Sequence, residues 1–100
     1  MSTIQKITIQ PIQPLIFKGD NTIVLLGSSV ILTDAEYSLL YFIAQRSPRH
    51  TTSNDIHSIS ISPASLPVII SSVNKKAAII SGRRLIISQR GLGYRLNPYI

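Results

Sequence analysis

The sequence predicts a single α+β domain in which short antiparallel strands come first, three helices follow and a β-hairpin closes the chain. Three observations predict this order. Short β-prone runs separated by turn residues fill the first third, and a helix-start signal with helical periodicity follows. Two further β-prone runs then flank Arg90-Gly91-Leu92-Gly93. The 100 residues, 44% of them hydrophobic, are enough to build one core.

The positive charge of the chain is concentrated in its second half. Residues 1–50 carry four Lys or Arg against three acids, which sums to +1, whereas residues 51–100 carry six against one, which sums to +5. No acidic side chain occurs from Leu66 onward. A one-sided positive field attracts polyanions, so nucleic acid is the first expected partner and an anionic membrane surface the second.

Several other function classes are not expected. The chain has no cysteine, which excludes disulfides and thiolate metal sites, and it has neither a signal-peptide pattern nor an apolar run of the roughly 20 residues that a membrane span needs. His57 lies near Asp55 and several serines, but no nucleophile elbow accompanies them. We therefore expect a cytoplasmic protein that is not an enzyme and that holds no metal or cofactor.

The first 32 residues predict a β-platform of three or four short strands. Prolines at positions 11 and 14 separate an early run, Ile4 to Ile9, from the rest. Lys18 to Asn21 is a strong turn cluster. The strands predicted around it and the next turn are Leu15-Ile16-Phe17, Thr22–Leu26 and Val30–Leu32.

The first helix is predicted to begin at Thr33-Asp34-Ala35-Glu36, which has the pattern of a capping box. The residues expected to face the core are Ala35, Leu39, Phe42 and Ile43, flanked by Tyr37, Leu40 and Ala44. Because a proline disfavours helical backbone at the residue before it, this helix should end by Ser47-Pro48.

Two more helices are predicted before the hairpin. Thr51-Thr52-Ser53 can cap a short helix over residues 54–59, with Ile56 and Ile59 pointing inward. Ser62-Pro63 is typical of an N-cap followed by proline at the first helical position. The third helix then runs to about Ala78, and its predicted core residues are Leu66, Ile69, Ile70, Val73 and Ala77.

The C-terminal hairpin pairs Leu85–Gln89 with Tyr94–Leu96 around a tight turn in which two glycines allow positive φ. Arg90 is expected at its tip. The chain thus divides into a platform (1–32), a three-helix core (33–78) and a hairpin (79–100). This is the element order of a winged helix-turn-helix domain, in which the hairpin is the wing.

Three stretches resemble the OmpR/PhoB-type effector domain of bacterial transcription regulators. Leu32-Thr33-Asp34-Ala35-Glu36-Tyr37-Ser38-Leu39-Leu40 resembles its first helix, and Ile70-Ser71-Ser72-Val73-Asn74-Lys75-Lys76 resembles its recognition helix. Arg90-Gly91-Leu92-Gly93-Tyr94-Arg95 resembles its wing and is the most specific of the three. The resemblance extends from about Leu26 to Leu96.

The resemblance implies a transcription regulator that binds double-stranded DNA, with the third helix in the major groove and the wing on the adjacent minor groove. It also implies RNA polymerase, another regulator or a second copy of the chain on DNA as further partners. The side chains that it places at DNA, from the recognition helix to the wing, are Ser71, Ser72, Asn74, Lys75, Lys76, Arg83, Arg84, Arg90 and Arg95.

The chain departs from the family in ways that bear on function. Ser72 and Asn74 stand where the family usually has arginines, which predicts weaker sequence readout more than weaker overall affinity. The segment between the second and third helices is several residues shorter, which counts against polymerase recruitment through that loop. The chain contains no phosphoacceptor receiver domain.

A winged-helix scaffold that binds another protein, with weak or no DNA binding, is the alternative function. The serine-rich recognition face and the apolar run from Leu66 to Ile70 fit this role. Val68 lies off the predicted core stripe, so its exposure would indicate an interface. The basic residues without compensating acids favour DNA over this alternative.

Overall fold

Three antiparallel strands form the first part of the fold. The computed structural model describes residues 15–98, and its first sheet has the order β1 (Leu15–Gly19), β2 (Thr22–Leu25), β3 (Ser28–Ile31). This confirms the strands predicted between Leu15 and Leu32, while the early run from Ile4 to Ile9 lies outside the described residues. Along β2 the side chains of Ile23 and Leu25 are buried and alternate with less buried neighbours, as expected for a sheet with one face on the core.

Helix α1 (Asp34–Arg46) begins with the predicted capping box. The Glu36 amide donates to Thr33 Oγ1 at 3.2 Å, and the Thr33 amide donates to Glu36 Oε1 at 2.8 Å. The helix ends before Pro48, as expected. The hydroxyl of its C-cap residue Ser47 donates to the Ile43 carbonyl and accepts from the Leu96 amide at 3.1 Å, which ties the helix end to the last strand.

The core-facing stripe of α1 differs from the prediction at its first turn. Ala35 is exposed and Glu36 is buried, whereas Leu39 and Ile43 are buried as expected. A charged side chain replaces an apolar one on the inner face because Glu36 has partners there that lie far along the chain. They are described with the candidate interface below.

Helix α2 (Ser53–His57) is short and is held by a second capping box, in which Thr52 and Asp55 exchange hydrogen bonds. Ile56 is buried and Ile59 packs against the core, as predicted. Arg46 at the end of α1 forms an ion pair with Asp55 at 3.2 Å. These contacts join α2 to the end of α1.

Helix α3 (Leu66–Ser81) begins and ends later than predicted. Ser62 forms a turn instead of an N-cap, since its carbonyl accepts from the amides of Ser65 and Leu66, and Ser65 is the N-cap. Residues 79–81 are helical because the side chain of Ile80 packs on the core and no helix breaker precedes Gly82. Gly82 ends the helix with φ 71°, a conformation that glycine adopts without strain.

The C-terminal hairpin consists of β4 (Ile86–Gln89) and β5 (Gly93–Leu96), with Ile86 opposite Leu96 and Gln89 opposite Gly93. Thr51 pairs with Tyr94 of β5 as an isolated antiparallel bridge. The Thr51 amide donates to the Tyr94 carbonyl at 2.7 Å, and the Tyr94 amide donates to the Thr51 carbonyl at 2.9 Å. Gly93 permits this close approach: its φ is 115°, and a Cβ there would lie 2.4 Å from the Thr51 carbonyl oxygen.

One core lies between the first sheet, the helices and the base of the hairpin. Its buried hydrophobic members are Ile23, Leu25, Leu32, Leu39, Leu40, Ile43, Ile56, Ile61, Leu66, Val73, Ala77, Leu85 and Ile86. At the edge of this core, Phe17 meets Tyr37 and Tyr41 edge-on, which couples β1 to α1. Within residues 15–98 the structure contains no helix with both the length and the apolar character that crossing a membrane requires.

Candidate nucleic-acid interface

The outer face of α3 is its side opposite the core. Leu66, Val73 and Ala77 are buried, and the helical period places a second set of side chains on the far side. All four of its members are exposed, and we name them the outer strip: Val68, Ser71, Lys75 and Ile79. At 1.5 Å per residue the strip is roughly 16 Å long, which is the scale of about five base pairs.

A groove separates α3 from the wing. Ser71 and Lys75 line it on the helix side, and Arg84, Ser88 and Tyr94 line it on the opposite side. A second groove, between the start of α2 and the wing tip, is lined by residues that include Thr52 and Arg90, and it shares Ser88 and Tyr94 with the first. The two grooves therefore join α3, the wing and the N-terminus of α2 into one surface.

Three basic side chains of this surface are exposed: Lys75 on α3, Arg84 in the loop after it, and Arg90 at the wing tip. Among the residues that the structure describes, none of the three has a side-chain ion pair or hydrogen-bond partner. Arg90 begins the hairpin turn, in which the Leu92 amide donates to the Gln89 carbonyl at 3.0 Å. Their charges are therefore available to an external anion.

Two of the predicted DNA contacts are instead engaged inside the protein. Ser72 donates a hydrogen bond to Glu36 Oε2, and Lys76 Nζ lies 2.6 Å from Glu36 Oε1. Glu36 is only 4% exposed, while Ser72 and Lys76 are partly exposed, and this cluster connects the first turn of α1 to the middle of α3. It holds α3 against α1 and engages the Ser72 hydroxyl and the Lys76 ammonium inside the protein.

The surroundings of Glu36 determine its ionisation. Burial alone would raise the pKa of the carboxyl, but hydrogen bonds from Lys76, Ser72 and the Thr33 amide, with the charge of Lys76, lower the pKa from 4.5 to about 2. The carboxylate is therefore charged at every pH at which the protein would normally work.

This pKa predicts a loss of stability in acid. A carboxyl whose pKa is lower in the folded than in the unfolded chain stabilises the fold above the unfolded value of 4.5, and that contribution disappears as pH falls toward 2. We expect the free energy of unfolding, measured by urea titration, to fall by about 2 to 3 kcal/mol between pH 5.5 and 2.5 on account of Glu36.

The Glu36→Gln variant isolates this contribution. Its free energy of unfolding should be lower at neutral pH and should decline less in acid. Asp55, whose pKa is lowered by hydrogen bonds from Thr52, is present in both proteins, so its own contribution to the decline is the same in each. An equal decline in the two proteins would contradict the assignment.

Asn74 is the third predicted DNA contact whose side chain is bonded inside the protein. Its Oδ1 accepts from the amides of Leu85 at 2.9 Å and Ile86 at 2.8 Å, and its Nδ2 donates to the Ile86 carbonyl at 3.0 Å. The side chain thus fastens the start of the wing to α3. Its amide cannot read adenine while it makes these bonds.

The two remaining arginines lie at the edges of the surface. Arg83 is exposed in the loop after α3, where its backbone exchanges hydrogen bonds with the Ser81 hydroxyl. Arg95 is half-buried, and its Nε lies away from solvent with no partner among residues 15–98. Because alternate residues of a strand point to opposite faces, Arg95 points away from the groove that Tyr94 lines.

The structure also assigns a place to residues that the sequence analysis did not select. Ser88 and Tyr94 lie opposite each other in the hairpin and line both grooves. Their alternation with Ile87 and Arg95 is a signal that could have identified the inner face of the wing. Within the described part of the chain, no three His, Asp or Glu side chains form a group that could hold a metal ion.

Comparison with solved structures identifies the fold. The chain is similar to the DNA-binding domain of AdeR, a response regulator of the OmpR/PhoB family. The crystal structure of that domain was solved in complex with an intercistronic region. The TM-score is 0.72 at 18% sequence identity, over 88% of this chain and 98% of that domain. No family model matches the sequence, and no curated protein matches it. The similarity confirms the predicted winged-helix fold.

Proposed function

We propose that the chain binds double-stranded DNA as a transcription regulator, with the outer strip of α3 in the major groove and the wing tip at the adjacent minor groove. The observation that supports this most is the basic surface formed by Lys75, Arg84 and Arg90. From Leu66 onward no acid opposes these charges. Phosphates are the partner that such a surface attracts.

Each cation has a role that follows from its place. Lys75 lies on the outer strip, and its long flexible stem allows the ammonium to reach a phosphate at the rim of the DNA groove that α3 enters. Arg84, on the wing side of the groove beside α3, contacts a phosphate next to the helix. Arg90 projects from the wing tip. An arginine there is suited to a narrow minor groove, where the negative potential is strongest.

The internal contacts keep this surface in one arrangement. Glu36 fixes α3 to α1 through Lys76, and Asn74 fixes α3 to the wing through the Leu85 and Ile86 backbone. A surface held in its bound arrangement loses less conformational entropy when DNA binds. Ser72, Asn74 and Lys76 thus support DNA binding by position, and direct contacts fall to Ser71, Lys75, Arg84 and Arg90.

A protein-binding role has one specific observation in its favour. Val68 is 70% exposed and Ile79 is 86% exposed, although both are large and apolar. The two lie at opposite ends of the outer strip, with Ser71 and Lys75 between them, so the apolar area is interrupted by polar groups. This pattern favours a polar, charged ligand over a continuous apolar protein interface.

The test is a salt titration of binding to duplex DNA, followed by fluorescence anisotropy with a labelled duplex. Three neutralised phosphates predict a slope of about −2.7 for log K against log salt concentration. A duplex of mixed sequence should bind with the same slope as an A·T-rich one, because the slope reports phosphate contacts. Absence of binding at low salt would overturn the proposal and favour a protein partner.

A further inference from the structure

We infer that the outer strip of α3 recognises thymine methyl groups, so that the chain prefers DNA with thymine in the major groove that α3 enters. This inference rests on the proposed DNA binding and adds the base feature that is recognised. It follows from the side chains that the strip presents and from those that it lacks.

The first argument is that the outer strip has no rigid side chain that reads a purine through paired hydrogen bonds. Arg and Lys bind guanine in this way and Asn and Gln bind adenine, but the flexible ammonium of Lys75 fixes a base less well than a planar guanidinium does. Helix α3 contains no Arg or Gln, and the amide of its one Asn, Asn74, is engaged with the wing backbone. On the outer strip the polar groups are the Ser71 hydroxyl and the Lys75 ammonium, and neither offers a rigid pair of donors.

The second argument is the exposure of the two aliphatic side chains. Val68 and Ile79 do not contribute to the core, and they lie on the face that carries Lys75. The methyl group at C5 of thymine is the apolar feature of the major-groove edge, and aliphatic side chains pack against it. Their separation of 11 positions, roughly 16 Å along the helix, places them at different base pairs.

The wing supports the same preference independently. A·T tracts have a narrow minor groove with enhanced negative potential, which draws an inserted arginine. Arg90 is exposed at the wing tip without a side-chain partner among residues 15–98. The two contacting elements thus both favour A·T base pairs, one through methyl groups and the other through groove shape.

The test compares two duplexes that differ only in the methyl group: alternating dA–dT, and the same duplex with uracil in place of thymine. Covering one methyl group is worth about a fourfold change in affinity, so the loss of one contact each at Val68 and Ile79 predicts about sixteenfold weaker binding to the uracil duplex. The Val68→Ala/Ile79→Ala double variant should bind both duplexes equally.

Folding and unrelated apolar contacts are controlled separately. Alanine favours helix at both positions, and both side chains are exposed, so thermal unfolding of the double variant should be unchanged. Ile31→Ala removes a 74% exposed isoleucine on β3, outside the strip, and should keep the preference for thymine.

The outcomes separate the two proposals. If the unmodified protein binds the thymine and uracil duplexes equally, or if the double variant keeps the preference, recognition of thymine methyls is overturned and DNA binding stands. If the unmodified protein binds no duplex at low salt, the proposed function itself fails.

Discussion

Replacing Lys75, Arg84 and Arg90 together by alanine is expected to weaken binding to duplex DNA about a thousandfold. Each charge-assisted hydrogen bond to a phosphate contributes about 1.5 kcal/mol or more, and about 1.4 kcal/mol corresponds to a factor of ten in affinity. The slope of log K against log salt concentration is negative, and its magnitude should decrease by about 1 for each residue removed. Fluorescence anisotropy over a salt series measures both quantities.

The fold of this triple variant should be unaffected, because the three side chains are exposed and have no partner among the described residues. Single variants provide the matched control. Arg90→Ala and Lys18→Ala each remove one exposed positive charge, but Lys18 lies on β1, outside α3 and the wing. Equal losses of affinity from the two variants would mean that only net charge matters, and would contradict the proposed interface.

The sequence predicted the elements whose signals are local. The capping box of Thr33 and Glu36 lies within one turn, and the hairpin follows from a turn with two glycines between β-prone runs. The core-facing pattern of α3 was predicted for the same reason, since Leu66, Val73 and Ala77 repeat at helical spacing. Such signals depend on neighbours along the chain and can be read without the fold.

The parts that could not be predicted depend on contacts between distant residues. Glu36 meets Ser72 and Lys76, which lie 36 and 40 positions away, so nothing near Glu36 in the sequence indicates that its side chain is buried. Asn74 likewise finds the Leu85 and Ile86 backbone 11 and 12 positions away.

The predicted start of α3 was wrong for a different reason. Ser62-Pro63 fits a helix start, but Ser62 to Ser65 form a turn closed by hydrogen bonds from the Ser65 and Leu66 amides to the Ser62 carbonyl, and the helix begins at Leu66.

These long-range contacts change how the recognition helix is interpreted. In sequence, Ser72, Asn74 and Lys76 were candidate contacts to DNA because they lie on the helix that should enter the groove. In the structure their polar atoms hold α3 to α1 and to the wing. The helix therefore uses Ser72, Asn74 and Lys76 for orientation, and under the proposed function the outer strip, half of which is aliphatic, is the part left to contact DNA.

Asn74→Ala is expected to lower the free energy of unfolding by about 4 kcal/mol, measured by urea or thermal denaturation at neutral pH. The substitution removes three hydrogen bonds and leaves two amides and one carbonyl without their partner. The side chains of Leu85 and Ile86 are 2% and 1% exposed, so water reaches these backbone groups poorly. A buried polar group without a partner costs about 1 to 3 kcal/mol.

Ser71→Ala is the matched control for Asn74→Ala, since it also replaces a polar residue of α3 by alanine but at an exposed position without a partner among residues 15–98. Its stability should differ from that of the unmodified protein by less than about 0.5 kcal/mol. The folded fraction of Asn74→Ala should also bind DNA more weakly, because the wing that carries Arg90 is no longer fastened to α3. If Asn74→Ala were as stable as Ser71→Ala, the attachment of the wing would have to lie elsewhere, in the Thr51–Tyr94 bridge.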